Sequence, residues 1–113
     1  MVFALATDDG GLIGFRDARE AEAYCEGLDV GDGVWLFFAE DGSPLEARFT
    51  RPNRRGAFTV SGKYTLQRAL SGRWLQERLA EVKTVEGCGP ETLDELVEVL
   101  KINRSKKITT QRK

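Results

Sequence analysis

The chain has 113 residues, 41% hydrophobic and 31% charged, with 2 Cys and no His, which supports one hydrophobic core and one domain. No run of about 18 apolar residues is present to span a bilayer, two cysteines make no disulfide framework, and without histidine both the usual zinc site and the commonest general acid or base are missing. The formal net charge of −1 conceals segregation: residues 1–46 carry −9, 47–76 carry +7, 77–100 carry −5 and 101–113 carry +6.

Met1 to Thr7 reads as a strand, Asp8-Asp9-Gly10-Gly11 as a turn, and Leu12 to Phe15 as the returning strand of an opening hairpin. The same apolar start has no Lys or Arg before it and meets Asp8 and Asp9 too early for a signal peptide, so a cytoplasmic protein is expected. Asp17 can cap a helix over 17–28, with Glu20 three residues on to complete a capping box and Gly27 placed for a left-handed stop. Ala18, Ala21, Tyr24, Cys25 and Leu28 fall on its apolar face.

Val34-Trp35-Leu36-Phe37-Phe38-Ala39 is uninterruptedly apolar and too short for a buried helix; it is expected to be a central strand covered on both faces. After the turn Glu40 to Pro44, Leu45, Ala47 and Phe49 alternate with Glu46, Arg48 and Thr50, as in a strand with one wet face. Arg51 to Gly56 forms a basic hairpin loop, and Phe58, Val60, Tyr64 and Leu66 continue the alternation through a bend at Gly62. Leu75, Leu79 and Val82 then suit a helix over 71–83. Pro90 opens another over 90–101, whose Leu93, Leu96, Val97 and Leu100 follow the helical template.

These elements predict an α+β domain spanning 1–103: an antiparallel sheet of about five strands, with the helices gathered on one face. Residues 104–113 are expected to be a basic, mobile tail. Cys25 and Cys88 read as small buried hydrophobes. No cofactor, metal site or catalytic set is expected: glycine-rich phosphate loops, nucleophile–base pairs and metal-ligand spacings are all missing.

Charge marks the candidate binding residues. Glu91, Asp94, Glu95 and Glu98 share one face of the last helix as like-charge pairs at i,i+3 and i,i+4, and Glu22 and Glu26 repeat the pattern on the first. Each such pair costs roughly 0.2–0.5 kcal/mol, so these faces are either merely solvated or kept acidic for a basic partner. Arg48, Arg51, Arg54, Arg55, Lys63, Arg68 and Arg73, interleaved with Phe49, Phe58 and Tyr64, form a cationic segment. On a strand, however, its aromatics and arginines fall on opposite sides, whereas stacking on nucleic acid needs both on one.

Val82 to Leu93 resembles the helix-hairpin-helix motif of DNA-binding proteins, with Gly87-Cys88-Gly89 as its hairpin, although Glu91 stands where that family commonly has Lys or Arg. The segment reads first as a structural corner. The alternative is phosphate binding through Gly87 and Gly89, helped by Lys101, Arg104, Lys106 and Lys107 of the tail. The layout of residues 12–45, from Leu12-Ile13-Gly14-Phe15 through Asp17-Ala18-Arg19-Glu20-Ala21-Glu22 to Trp35-Leu36-Phe37-Phe38-Ala39 and Asp41-Gly42-Ser43-Pro44-Leu45, resembles small bacterial immunity proteins. That resemblance implies a non-enzymatic cytoplasmic protein that neutralises a polymorphic or contact-dependent toxin by direct binding. The expected partner is then a basic toxin domain met by Glu22, Glu26, Glu91, Asp94, Glu95 and Glu98, and nucleic acid is the alternative partner.

Overall fold

A computed structural model describes residues 1–111, with side chains through Arg104. The first strand, β1 (Val2–Ala6), is buried along its whole length because it lies inside a six-stranded sheet, whose strands in spatial order are Lys63–Arg68 (β5), Pro44–Arg51 (β4), Trp35–Ala39 (β3), β1, Gly11–Phe15 (β2) and Thr84–Gly87 (β6). Its neighbours are β2 (Gly11–Phe15) and β3 (Trp35–Ala39), both antiparallel. The opening turn forms as its residues dictate: Gly10 takes a positive φ of 76°, and Asp9 Oδ1 accepts the Gly11 N–H at 2.8 Å.

From β3 the chain moves outward through β4 (Pro44–Arg51) and β5 (Lys63–Arg68), a long antiparallel ribbon ending at one edge of the sheet. It then returns across the sheet through a 3₁₀ helix (Leu75–Glu81) and adds β6 (Thr84–Gly87) at the far edge, parallel to β2. The sheet is therefore mixed and has six strands, where about five antiparallel ones were expected. The expected α-helix over 71–83 is the 3₁₀ helix followed by extended chain.

Two short helices, α1 (Ala18–Tyr24) and α2 (Gly27–Gly31), occupy the first helical region. Asp17 caps α1, its Oδ1 accepting the Glu20 N–H at 2.9 Å, whereas the Glu20 carboxylate turns to Arg16 at 3.0 Å. Gly27 does not stop a helix but starts α2. There its missing Cβ leaves room for the Gly62 carbonyl and Asn53. The last helix, α3 (Leu93–Gln111), begins three residues after Pro90 and runs past position 104. The expected mobility of the tail's end lies outside the described residues.

Layering corrects the sequence reading. Phe3, Leu5, Leu12, Phe38, Leu75, Leu96 and Leu100 form one buried cluster under the 3₁₀ helix and α3. Val2, Ala4, Phe15, Ala21, Cys25, Phe37 and Tyr64 form a second under α1. Helices thus cover both faces of the sheet and not one, as the adjacent burial of Phe37 and Phe38 requires, since successive strand residues point to opposite faces. The chain is one α+β domain of three layers. On α3 the inward positions are Leu96, Val99 and Leu100, while Leu93 is exposed; on α1 Tyr24 is 60% exposed. Phe58 and Val60 lie outside the core. No helix among the described residues is long and apolar enough to cross a membrane.

Candidate partner-binding surfaces

The acidic residues at the start of α3 fall into two kinds. Thr92 Oγ1 accepts the Glu95 N–H at 3.1 Å, and Glu95 Oε2 reaches back to the Glu91 N–H at 2.7 Å. Glu95 therefore caps the helix, satisfying an amide that would otherwise lack a partner. Glu91, Asp94 and Glu98 point to solvent. Glu98 has only a 3.9 Å contact with Lys101 Nζ between two largely exposed side chains, a pair of small energetic value. Among the described residues Glu91 and Asp94 make no ion pair, so this end of the helix stays strongly negative.

Glu22 is committed elsewhere. Its Oε2 accepts the Leu66 N–H at 2.9 Å, closing a backbone donor on β5, the edge strand whose open amides would otherwise invite another chain. Glu26 is exposed and makes no capping bond at the α2 start. With Glu22, Ser61, Lys63 and Tyr64 it lines a shallow hollow of about 400 Å³. The α1 and α3 acidic surfaces lie over opposite faces of the sheet, so the six predicted carboxylates do not form one interface.

The Gly87-Cys88-Gly89 corner is not a helix-hairpin-helix, because residues 84–87 are strand β6 and not the end of a helix. Gly87 sits opposite Gly14 in the parallel register, and the Cys88 N–H donates to the Gly14 carbonyl at 2.8 Å. A Cβ on Gly14 would run into the Cys88 carbonyl, and one on Gly87 into the Gly14 carbonyl. Gly87 and Gly89 both hold positive φ, 93° and 89°. These glycines permit close backbone approach at the sheet edge. Of the tail cations, Lys101 is exposed and the Arg104 guanidinium stacks 5.0 Å over the Trp74 ring; the Lys106 and Lys107 side chains lie outside the described residues.

Cysteine chemistry divides as well. Cys25 is fully buried and its thiol is pushed up to about 12, first by burial and then by the Asp29 carboxylate, which makes it a packing group. Cys88 is exposed, contrary to the sequence reading. The Tyr64 phenol, also raised by burial and then by Cys25 and Glu22, donates to the Cys25 carbonyl at 2.6 Å and ties β5 to the end of α1. No group of three or more potential metal ligands comes together among the described residues.

A further feature escaped the sequence reading because it depends on strand geometry. β3 and β4 pair only through Phe37↔Leu45 and Phe38↔Pro44, then part. The gap is a cleft of about 370 Å³ lined by Trp35, Phe37 and Phe49 and bordered by Glu46, Arg73 and Arg78. The ribbon beyond it bears six of the seven cations of the 47–76 segment. Compared with protein-family models, curated proteins and solved structures, the chain matches none of them.

Proposed function

We propose that the protein is a non-enzymatic binding protein of the immunity type, which neutralises a cognate toxin domain in the cytoplasm by covering a basic surface of that domain with the acidic start of α3. The observation that carries this reading is the exposed set Glu91, Asp94 and Glu98, unneutralised among the described residues except for the 3.9 Å contact of Glu98 with Lys101. Like charges one turn apart work against the helix, and a cationic partner turns that penalty into complementarity. Such charges act mainly on encounter: they raise the association rate and select against acidic competitors. A toxin that acts on nucleic acid or nucleotides has a basic cleft, and an acidic helix is suited to occupy it.

Glu95 and Glu22 support this surface from behind, one by capping α3 and the other by closing the β5 edge. Glu26, on the opposite side of the sheet, belongs to a different surface. The test is to recover the partner from the native host on immobilised protein and measure its association with a Glu91→Lys/Asp94→Lys/Glu98→Lys variant. Association at low salt is expected to slow by at least about tenfold, with the unfolding midpoint little changed, as for exposed positions generally. Unchanged kinetics would remove α3 from the interface.

A further inference from the structure

The β4–β5 ribbon has a chemistry of its own, independent of the toxin-neutralising reading and on different elements from the α3 face. Six cations, Arg48, Arg51, Arg54, Arg55, Lys63 and Arg68, lie between residues 47 and 68, with no Asp or Glu among them. All six are exposed. Arg55 pairs with Asp32 at 2.8 Å, and the other five make no ion pair among the described residues.

Register determines where they point. Phe49 faces Tyr64 across the ribbon, on the side that packs against α1, so Arg48 and its partner Thr65 look the other way. Between Phe49 and Arg51 the register shifts, and Arg51 pairs with Lys63, the neighbour of Tyr64. Directly opposed residues share a face, so the bulge transfers Arg51 from the apolar side to the side of Arg48 and Lys63. Simple alternation would have put Arg51 with Phe49. The outcome is a track of three cations on one wet face, with successive same-face positions ~6.6 Å apart along a strand. The only acid on this face of the ribbon is Glu46, at its base, bonded to Gln67 at 3.0 Å.

The tip adds an aromatic ring. Arg54 and Val60 close the end through reciprocal backbone bonds of 2.9 and 2.8 Å, and the loop they enclose leaves Phe58 84% exposed. The neck of this loop is held firmly: Asn53 Oδ1 accepts the Gly62 N–H at 2.7 Å, Asn53 Nδ2 donates to the Gly27 carbonyl at 2.8 Å, and Ser61 Oγ accepts the Leu28 N–H at 3.3 Å. These bonds fix the ribbon to α2.

We propose that this ribbon binds single-stranded nucleic acid, with Arg48, Arg51 and Lys63 following the phosphates and Phe58 stacking on a base. Five of the six cations are arginine, the residue whose planar fork matches phosphate, and a solvated phenyl ring in the loop at the end of the same ribbon supplies the surface that stacking needs. An acidic protein would use the cations but has no flat base for Phe58. RNA and DNA share this chemistry, so both are probed.

The experiment is fluorescence anisotropy of the full chain with labelled oligouridylate and oligothymidylate across a salt series. Three phosphate contacts predict a slope of log K against log salt of about −2, at −0.7 per contact. Arg48→Glu/Lys63→Glu should weaken binding at least about tenfold and flatten the slope. Phe58→Ala should weaken it about tenfold with the slope kept, since stacking is worth ~1–3 kcal/mol per base and carries no charge, and Phe58→Trp should restore it. All three changes are at exposed sites, and unchanged unfolding midpoints check that the fold survives. The proposal is overturned if neither oligomer binds at low salt, if Lys106→Glu/Lys107→Glu abolishes binding while the ribbon variants do not, if Phe58→Ala has no effect, or if polyglutamate of matched charge competes equally well.

Discussion

Replacing Phe38 by Ala tests the three-layer architecture most directly. Phe38 is 2% exposed and packs in the cluster of Phe3, Leu5, Leu75, Leu96 and Leu100 between sheet and α3. Truncating a buried Phe to Ala costs ~3–5 kcal/mol, transfer and cavity terms together, whereas a domain of this size is stable by roughly 5–15 kcal/mol. About a fifth or more of the stability should disappear, read as a fall in the urea midpoint at unchanged m-value. Phe37→Ala should cost a similar amount through the other cluster, and the distinction lies in coupling. In double-mutant cycles with the milder changes Phe38→Leu, Phe37→Leu and Leu96→Val, the Phe38–Leu96 pair should interact by about 0.5 kcal/mol or more, and the Phe37–Leu96 pair should be additive within that margin. Equal coupling of both phenylalanines to Leu96 would refute the assignment of the two to separate layers. A midpoint unmoved by Phe38→Ala would refute burial itself.

Glu22→Ala strips the cap from the Leu66 amide and should cost about 1–2 kcal/mol by denaturation, with partner affinity per folded molecule preserved; lost affinity at intact stability would return Glu22 to the interface. Gly14→Ala drives a Cβ into the Cys88 carbonyl, a backbone atom with no rotamer to escape to, and should destabilise by ~1–3 kcal/mol with faster hydrogen exchange in β6; a neutral result would mean that β2 and β6 do not approach this closely. Alkaline pH should loosen the fold: Cys25 is raised from 9.0 to about 12 and Tyr64 is raised above 10.0, so the unfolded chain releases these protons first. The stability these groups contribute is complete below pH 9 and falls as pH rises beyond it, at up to about 1.4 kcal/mol per pH unit per group. A Cys25→Ala variant should show a shallower decline between pH 9 and 10, and an identical decline would exclude the thiol as a source.

Three strands announced themselves through unbroken or alternating apolar residues: residues 2–6, 35–39 and 44–51 are where periodicity put them, whereas the alternation of Phe58 and Val60 falls in the loop ahead of β5. β6 did not, because Thr84-Val85-Glu86-Gly87 holds one apolar side chain and owes its conformation to a partner 73 residues away in sequence. Its signal was the glycine at 14 and the glycine at 87, which mean close backbone approach only once they are known to be opposite each other. Leu75, Leu79 and Val82 fit a 3₁₀ helix as well as an α-helix over so short a span, so periodicity does not separate the two there. The two-sided covering of Phe37 and Phe38 was legible, yet placing all helices on one face contradicted it. At the candidate sites, charge could be counted but not apportioned. The Thr92-x-x-Glu95 capping pattern lay in plain view, but Pro90 drew the expected start earlier, and nothing local marks Glu22 as the partner of an amide 44 residues on. Likewise, a one-residue bulge was enough to reverse the side on which Arg51 falls.

The pairing of β6 with β2 also bears on how the chain acquires its shape. β1 and β2 are joined by a tight turn, and β4 and β5 by a hairpin, so both can form as soon as their own residues are available. The β2–β6 ladder has to wait for closure of a loop of 73 residues, about two thirds of the chain, an entropic toll that rises with the logarithm of loop length. Pairings of such separation slow two-state folding. Until closure, β2 has an open edge bearing Leu12, and the apolar face awaiting α3 is wet. In that interval the open edge is available for pairing with another copy.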